Sequence, residues 1–113
     1  MSDLLQQQCH PITDSDAAYS DAEIEKLLAD DLENLWQLNA AKDQISRSFK
    51  FKNYYQTISF VNAVAWVAHQ QDHHPEIIIN YSQCDISFTT HNVKRLSKND
   101  FICAAFINQL STH

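Results

Sequence analysis

The chain has 113 residues, 44% of them hydrophobic and 19% charged, which bounds it to one globular domain, and it contains no glycine at all. Ordinary usage near 7% would place about eight in this length, and Walker loops, dinucleotide-binding GxGxxG turns and GxSxG elbows all need glycine where backbone meets phosphate or turns with positive φ. Those mechanisms are excluded, and chemistry has to come from side chains, chiefly the six histidines.

The formal charge of −6 is uneven. Residues 1–34 hold nine acids against Lys26 alone, whereas the remainder is slightly basic. No Lys/Arg run or basic helix face occurs, so a nucleic-acid surface is not expected. Residues 1–19 contain Pro11 and few large apolar side chains, and read as an extension, loosely ordered or docked, with residues 20–113 as the single domain. The amino end lacks the basic and apolar regions of a signal peptide. Cys9, Cys84 and Cys103 form no CxxC pair. A reduced, cytoplasmic setting without membrane contact is therefore expected.

Ser20-Asp-Ala-Glu23 fits a capping box, and Ile24, Leu27, Leu28 and Leu32 recur at helical spacing, predicting a helix over 20–33. Trp36 and Leu38, then Ile45, Phe49 and Phe51, alternate with polar residues as strands do, joined through Asn39 to Asp43. Asn53 caps a second, strongly apolar helix over 54–71, which is expected to end at His73-His74-Pro75 because proline disfavours helical geometry before it. Residues 77–81 and 84–90 read as a second hairpin turning at Ser82-Gln83. Ser97 to Asp100 starts a last, amphipathic helix carrying Phe101, Ile102, Ala105, Phe106 and Leu110. The order α-β-β-α-β-β-α predicts an α+β two-layer sandwich, a four-stranded antiparallel sheet with three helices on one face.

Asp72-His73-His74-Pro75-Glu76 lies where a helix meets a strand, and His91 ends the following strand. A hairpin brings its outer ends together, so His73, His74 and His91 can share one cleft, and imidazoles both give and take protons near neutrality. His69 and His73 stand at i, i+4, which with His91 leaves a zinc site open as an alternative, although residue 70 is Gln where an HExxH motif has Glu. Cys84 and Cys103 read as small core residues, and a metal-binding reading of Cys9-His10-Pro11 is weak. Asp100 has two compatible roles, as a helix-start acid and as a partner orienting a histidine.

The stretch Asp72-His-His-Pro-Glu76, Asn80-Tyr81, Thr89-Thr-His91 and Leu96-Ser-Lys-Asn-Asp100 resembles the signature of the pterin-4a-carbinolamine dehydratases, over about residues 20–110. The Cys9-His10 extension is most similar to bacterial members that accompany phenylalanine hydroxylase. The resemblance implies dehydration of 4a-hydroxytetrahydropterin to quinonoid dihydropterin, with pterin as substrate and no metal or other cofactor. It implies His73 as principal acid/base, His91 as its partner at the hydroxyl and His74 as an orienting residue. Thr89 and Thr90 would line the site, and Asp72 and Asp100 would support the histidines. A homodimer or homotetramer is expected, because relatives pair and strand edges need covering. The alternative reading is a catalytically degraded relative that serves as a protein-binding or dimerisation module.

Three positions depart from the family pattern. His69 replaces a glutamate, which bears on histidine protonation and the pH optimum. Ile77 replaces an aromatic, which bears on pterin affinity. Arg95 replaces a loop glycine, and if that position takes positive φ, Arg95 is strained.

Overall fold

A computed structural model describes residues 3–110. Asp21–Lys26 form helix α1, continued by a π-helical turn at Leu27–Asp31. The capping box is present: the Ser20 hydroxyl accepts from the Glu23 amide at 3.1 Å, and the Glu23 carboxylate accepts from the Ser20 amide at 2.9 Å. Strand β1 is Gln37–Leu38, strand β2 Ile45–Lys50, helix α2 Tyr54–Gln71, strand β3 Glu76–Ile79, strand β4 Gln83–Phe88 and helix α3 Lys98–Leu110. The four strands form one antiparallel sheet in the order β1-β2-β4-β3.

Register sorts the side chains. Ile45 pairs with Phe88, Arg47 with Ile86 and Phe49 with Cys84, so these face the helices. Ser46, Ser48, Asp85 and Ser87 take the opposite face, where the Ser48 hydroxyl donates to Asp85 at 2.6 Å. Arg47 is the exception on the inner face. Its guanidinium lies over the Phe49 ring and donates at 2.6 Å to the Asn108 side-chain oxygen, which also accepts from the Trp36 indole at 2.7 Å. A buried polar network thus ties β2, α3 and the chain before β1 together.

Without glycine, the left-handed corners fall to Glu33, Asn34, Lys42, Asp72 and Lys94. Helix α2 spans the expected residues and ends at Gln71, and its C-cap Asp72 takes a left-handed conformation (φ 50°), three residues ahead of Pro75. The left-handed residue turns the chain first, and the Asp72 amide still reaches the His69 carbonyl at 3.3 Å. The second hairpin turns over Asn80 to Ser82, one residue earlier than expected, closed by the Asn80 amide on the Gln83 carbonyl at 2.8 Å. No residue from Asn80 to Gln83 takes positive φ, so this turn is made without a left-handed corner. In the loop before α3 the positive φ falls on Lys94 (55°), so Arg95 does not occupy the strained position.

Helix α3 is less amphipathic than its pattern predicts, since every residue from Asn99 to Ala105 is buried. The reason lies in the amino-terminal segment. Leu4, on a short 3-10 turn at Asp3–Gln6 that packs against α3, and Ile12 are each about 5% exposed. Burial of such side chains contributes roughly 1.5–3 kcal/mol each.

Candidate active site

The end of α2, the end of β4 and the start of α3 meet around His73. Its Nε2 lies 2.6 Å from Asp100 Oδ1, with the imidazole 11% exposed and the carboxylate fully buried. The imidazole stacks on Phe88 at 5.8 Å between ring centroids and 8° between planes, so its orientation is set by a ring as well as a hydrogen bond. The second carboxylate oxygen of Asp100 accepts from the Thr90 hydroxyl at 2.8 Å and from the Ser97 amide at 2.9 Å. The Thr90 proton being committed to Asp100, the Ser97 hydroxyl donates to Thr90 Oγ1 at 2.6 Å. One carboxylate therefore closes the first turn of α3 and holds the imidazole.

This arrangement fixes the tautomer of neutral His73. A carboxylate only accepts, so Nε2 carries hydrogen and Nδ1, without a hydrogen-bond partner among the described residues, keeps its lone pair.

His73 borders a cavity of about 290 Å³. From the folded core it is lined by Gln71, Asp72, His73, Thr90, Asn92 and Asn99, and from the amino-terminal segment by Cys9 to Ile12. His74 and His91 are exposed and stand next in the chain to His73 and Thr90, outside the cavity lining. Thr90 lines the cavity, but its hydroxyl is turned into the Asp100 network. Thr89 donates to the Asp43 carbonyl at 2.6 Å and lies outside the lining. Asp72, at the left-handed corner, is exposed at the rim.

The histidines His69, His73 and His91 are not gathered as ligands. His69 packs on Trp66 at 5.7 Å, and among the described residues no group of three His, Cys, Asp or Glu is placed to hold a metal ion. No helix among those residues is long and apolar enough to cross a membrane. Ser97, Asn92, Asn99 and Gln71 were not singled out by sequence reasoning as site residues. Ser97 and Asn99 left a signal there, as part of the start of α3.

The pterin 4 alpha carbinolamine dehydratase family model matches residues 17–110. The chain belongs to this family. A Nitrosomonas eutropha protein named provisionally as a pterin-4-alpha-carbinolamine dehydratase is 51% identical over 108 residues, covering 96% of this chain and 93% of its own. A similarly named Stenotrophomonas maltophilia protein is 42% identical over 114 residues, covering 98% and 97%. Among solved structures, a transcriptional coactivator/pterin dehydratase from Brucella melitensis superimposes with a TM-score of 0.75 at 28% identity, over 83% of this chain and 98% of its own. A pterin dehydratase-like RuBisCO assembly factor of the alpha-carboxysome shares the fold, with a TM-score of 0.58 at 21% identity over 67% of this chain and 88% of its own. Membership of the pterin-4a-carbinolamine dehydratases indicates a lyase acting on a pterin carbinolamine, and the His73 site lies within the matched residues.

Proposed function

We propose that this protein dehydrates 4a-hydroxytetrahydropterin to quinonoid dihydropterin by histidine acid/base catalysis, recycling pterin for an aromatic amino-acid hydroxylase. The C4a–O bond breaks and the hydroxyl leaves as water after taking a proton. The N5–H bond gives up its proton, and its electron pair forms the C4a=N5 bond. The step is balanced by one proton donor and one acceptor, with no redox partner or other cofactor. His73 Nδ1 accepts the N5 proton while Asp100 holds Nε2. His91, one residue beyond Thr90, supplies the proton to the departing hydroxyl, and His74 orients the ring. Asp72, Thr89 and Thr90 support this site.

The observation that carries the reading is the buried Asp100 carboxylate at 2.6 Å from His73. A carboxylate–imidazole pair at a cavity wall supplies a base with a defined lone pair. Generating the carbinolamine with a hydroxylase and following its decay by ultraviolet absorbance tests the function. Decay faster than in buffer, with quinonoid dihydropterin as product, is expected. Decay at the buffer rate would overturn it.

The oligomer belongs to the same reading. Strand β3 is an edge with Ile78 52% and Ile79 43% exposed, and a homodimer or homotetramer would cover it. Light scattering giving a monomer at micromolar concentration would contradict that.

A further inference from the structure

The amino-terminal segment lies over the His73 cavity, and the side chains that grip it come from the three stretches that carry the His73 network. Two residues before His73, the Gln71 side-chain oxygen accepts from the Cys9 amide at 2.8 Å. Next to Asp100, the Asn99 carboxamide pairs with the backbone of His10 as a neighbouring strand would: its oxygen accepts from the His10 amide at 3.2 Å, and its nitrogen donates to the His10 carbonyl at 2.7 Å. Two residues after Thr90, the Asn92 side chain donates to the Ile12 carbonyl. Asn99 is only 5% exposed, and a buried carboxamide left unpaired costs about 1–3 kcal/mol, so the segment satisfies a group the core cannot satisfy alone.

The seating is continuous. Ile12 is buried, and Cys9 Sγ lies 3.6 Å from Cys103 Sγ and 3.6 Å from the Asn99 carbonyl. Four of the ten residues lining the cavity belong to this segment. Without them, His73 would look onto an open notch rather than a cavity of about 290 Å³, a size at the lower limit of small-molecule sites.

We infer that residues 9–12 form a wall of the substrate site, held there by Asn99 and Gln71 as positioning residues, and that this wall sets pterin affinity. The inference rests on the pterin reading of the cavity. This strap, residues 9–12, closes one side of the cavity against a planar heterocycle, while its amides at Cys9 and His10 and its carbonyls at His10 and Ile12 are held by Gln71, Asn99 and Asn92. The strap residues carry no part of the proton transfer, which belongs to His73 and His91. Loosening the strap therefore acts on binding.

The test uses the full chain, with 7,8-dihydrobiopterin as a stable probe and the carbinolamine as substrate. Wild type is expected to bind the probe, and hydrogen exchange at the amides of Cys9, His10 and Ile12 is expected to slow on binding. Asn99→Leu is expected to raise the probe Kd and the carbinolamine KM together by about tenfold, the effect of roughly one lost hydrogen bond, with the loss falling on KM rather than kcat. Gln71→Ala, at an accessible helix end, is expected to move both constants the same way by a smaller factor, and it serves if Asn99→Leu does not fold. Unchanged exchange at Cys9, His10 and Ile12 in the bound protein, or wild-type KM and Kd in a folded variant, would overturn the strap's role while leaving the dehydratase reading intact. A wild-type protein that neither binds the probe nor speeds carbinolamine decay would overturn both.

Discussion

His73 Nε2 and Asp100 Oδ1 stand 2.6 Å apart although 27 residues separate them in the chain. The pair joins the end of one helix to the first turn of another, and its consequences are open to direct tests.

Asp100→Asn replaces an acceptor-only group with one that must turn an NH2 toward either His73 or the Thr90 and Ser97 donors. Its carbinolamine turnover is expected to fall about 10²-fold or more, and its unfolding free energy by about 1–3 kcal/mol. Decay kinetics and a denaturant melt read these separately. Wild-type turnover would mean that His73 acts without its carboxylate.

Thr90→Val removes one donor from Asp100 and leaves the Ser97 hydroxyl without its acceptor. Stability is expected to drop by about 1–3 kcal/mol in chemical denaturation. Turnover is expected to fall less than in Asp100→Asn, because Oδ1 still holds His73.

Lys94 sits at φ 55°, in the loop position where strain was expected of Arg95. Relief of a left-handed non-glycine residue is worth about 1 kcal/mol, so Lys94→Gly is expected to raise the melting temperature. Arg95 instead pairs with the Thr90 backbone and donates to the Asp16 carbonyl at 2.7 Å. Arg95→Gly is expected to lower the melting temperature, and the reverse order of the two variants would refute this assignment of strain.

What could be read in the sequence was local. The Ser20-Glu23 box and the Asn53 cap depend on residues three apart, and both stand as patterned, with Asn53 accepting from the Gln56 amide at 2.9 Å. The His-His-Pro motif and the helix start at Asp100 gave the family and the site's neighbourhood. Long-range polar pairing left no periodic trace. Asn99 looked like an ordinary first-turn residue, yet its partner is the backbone of His10, 89 residues away. The left-handed position before α3 was misplaced by one residue, from Lys94 to Arg95, because a chain without glycine puts its positive φ on Asp, Asn, Glu or Lys, which carry no distinctive mark.

Cys84 supplies a pH dependence. Burial, with a smaller effect from neighbouring Asp85, pushes its thiol from 9.0 up to about 11. The folded state holds this proton more tightly than the unfolded state, so the stabilisation is complete below the ordinary thiol pKa and is lost as pH rises through about 11. Thermal melts of Cys84→Ala are expected to decline less steeply between about pH 9 and 11 than those of wild type. Parallel declines would show that Cys84 does not contribute.

The most direct measurement is the decay of enzymatically generated 4a-hydroxytetrahydropterin in the presence of wild type and His73→Ala, with circular dichroism verifying that the variant is folded. Wild type is expected to accelerate the decay, and His73→Ala to lose about 10²–10⁴ of that acceleration. A folded His73→Ala protein as fast as wild type would contradict the assignment of His73 as the proton-transfer group.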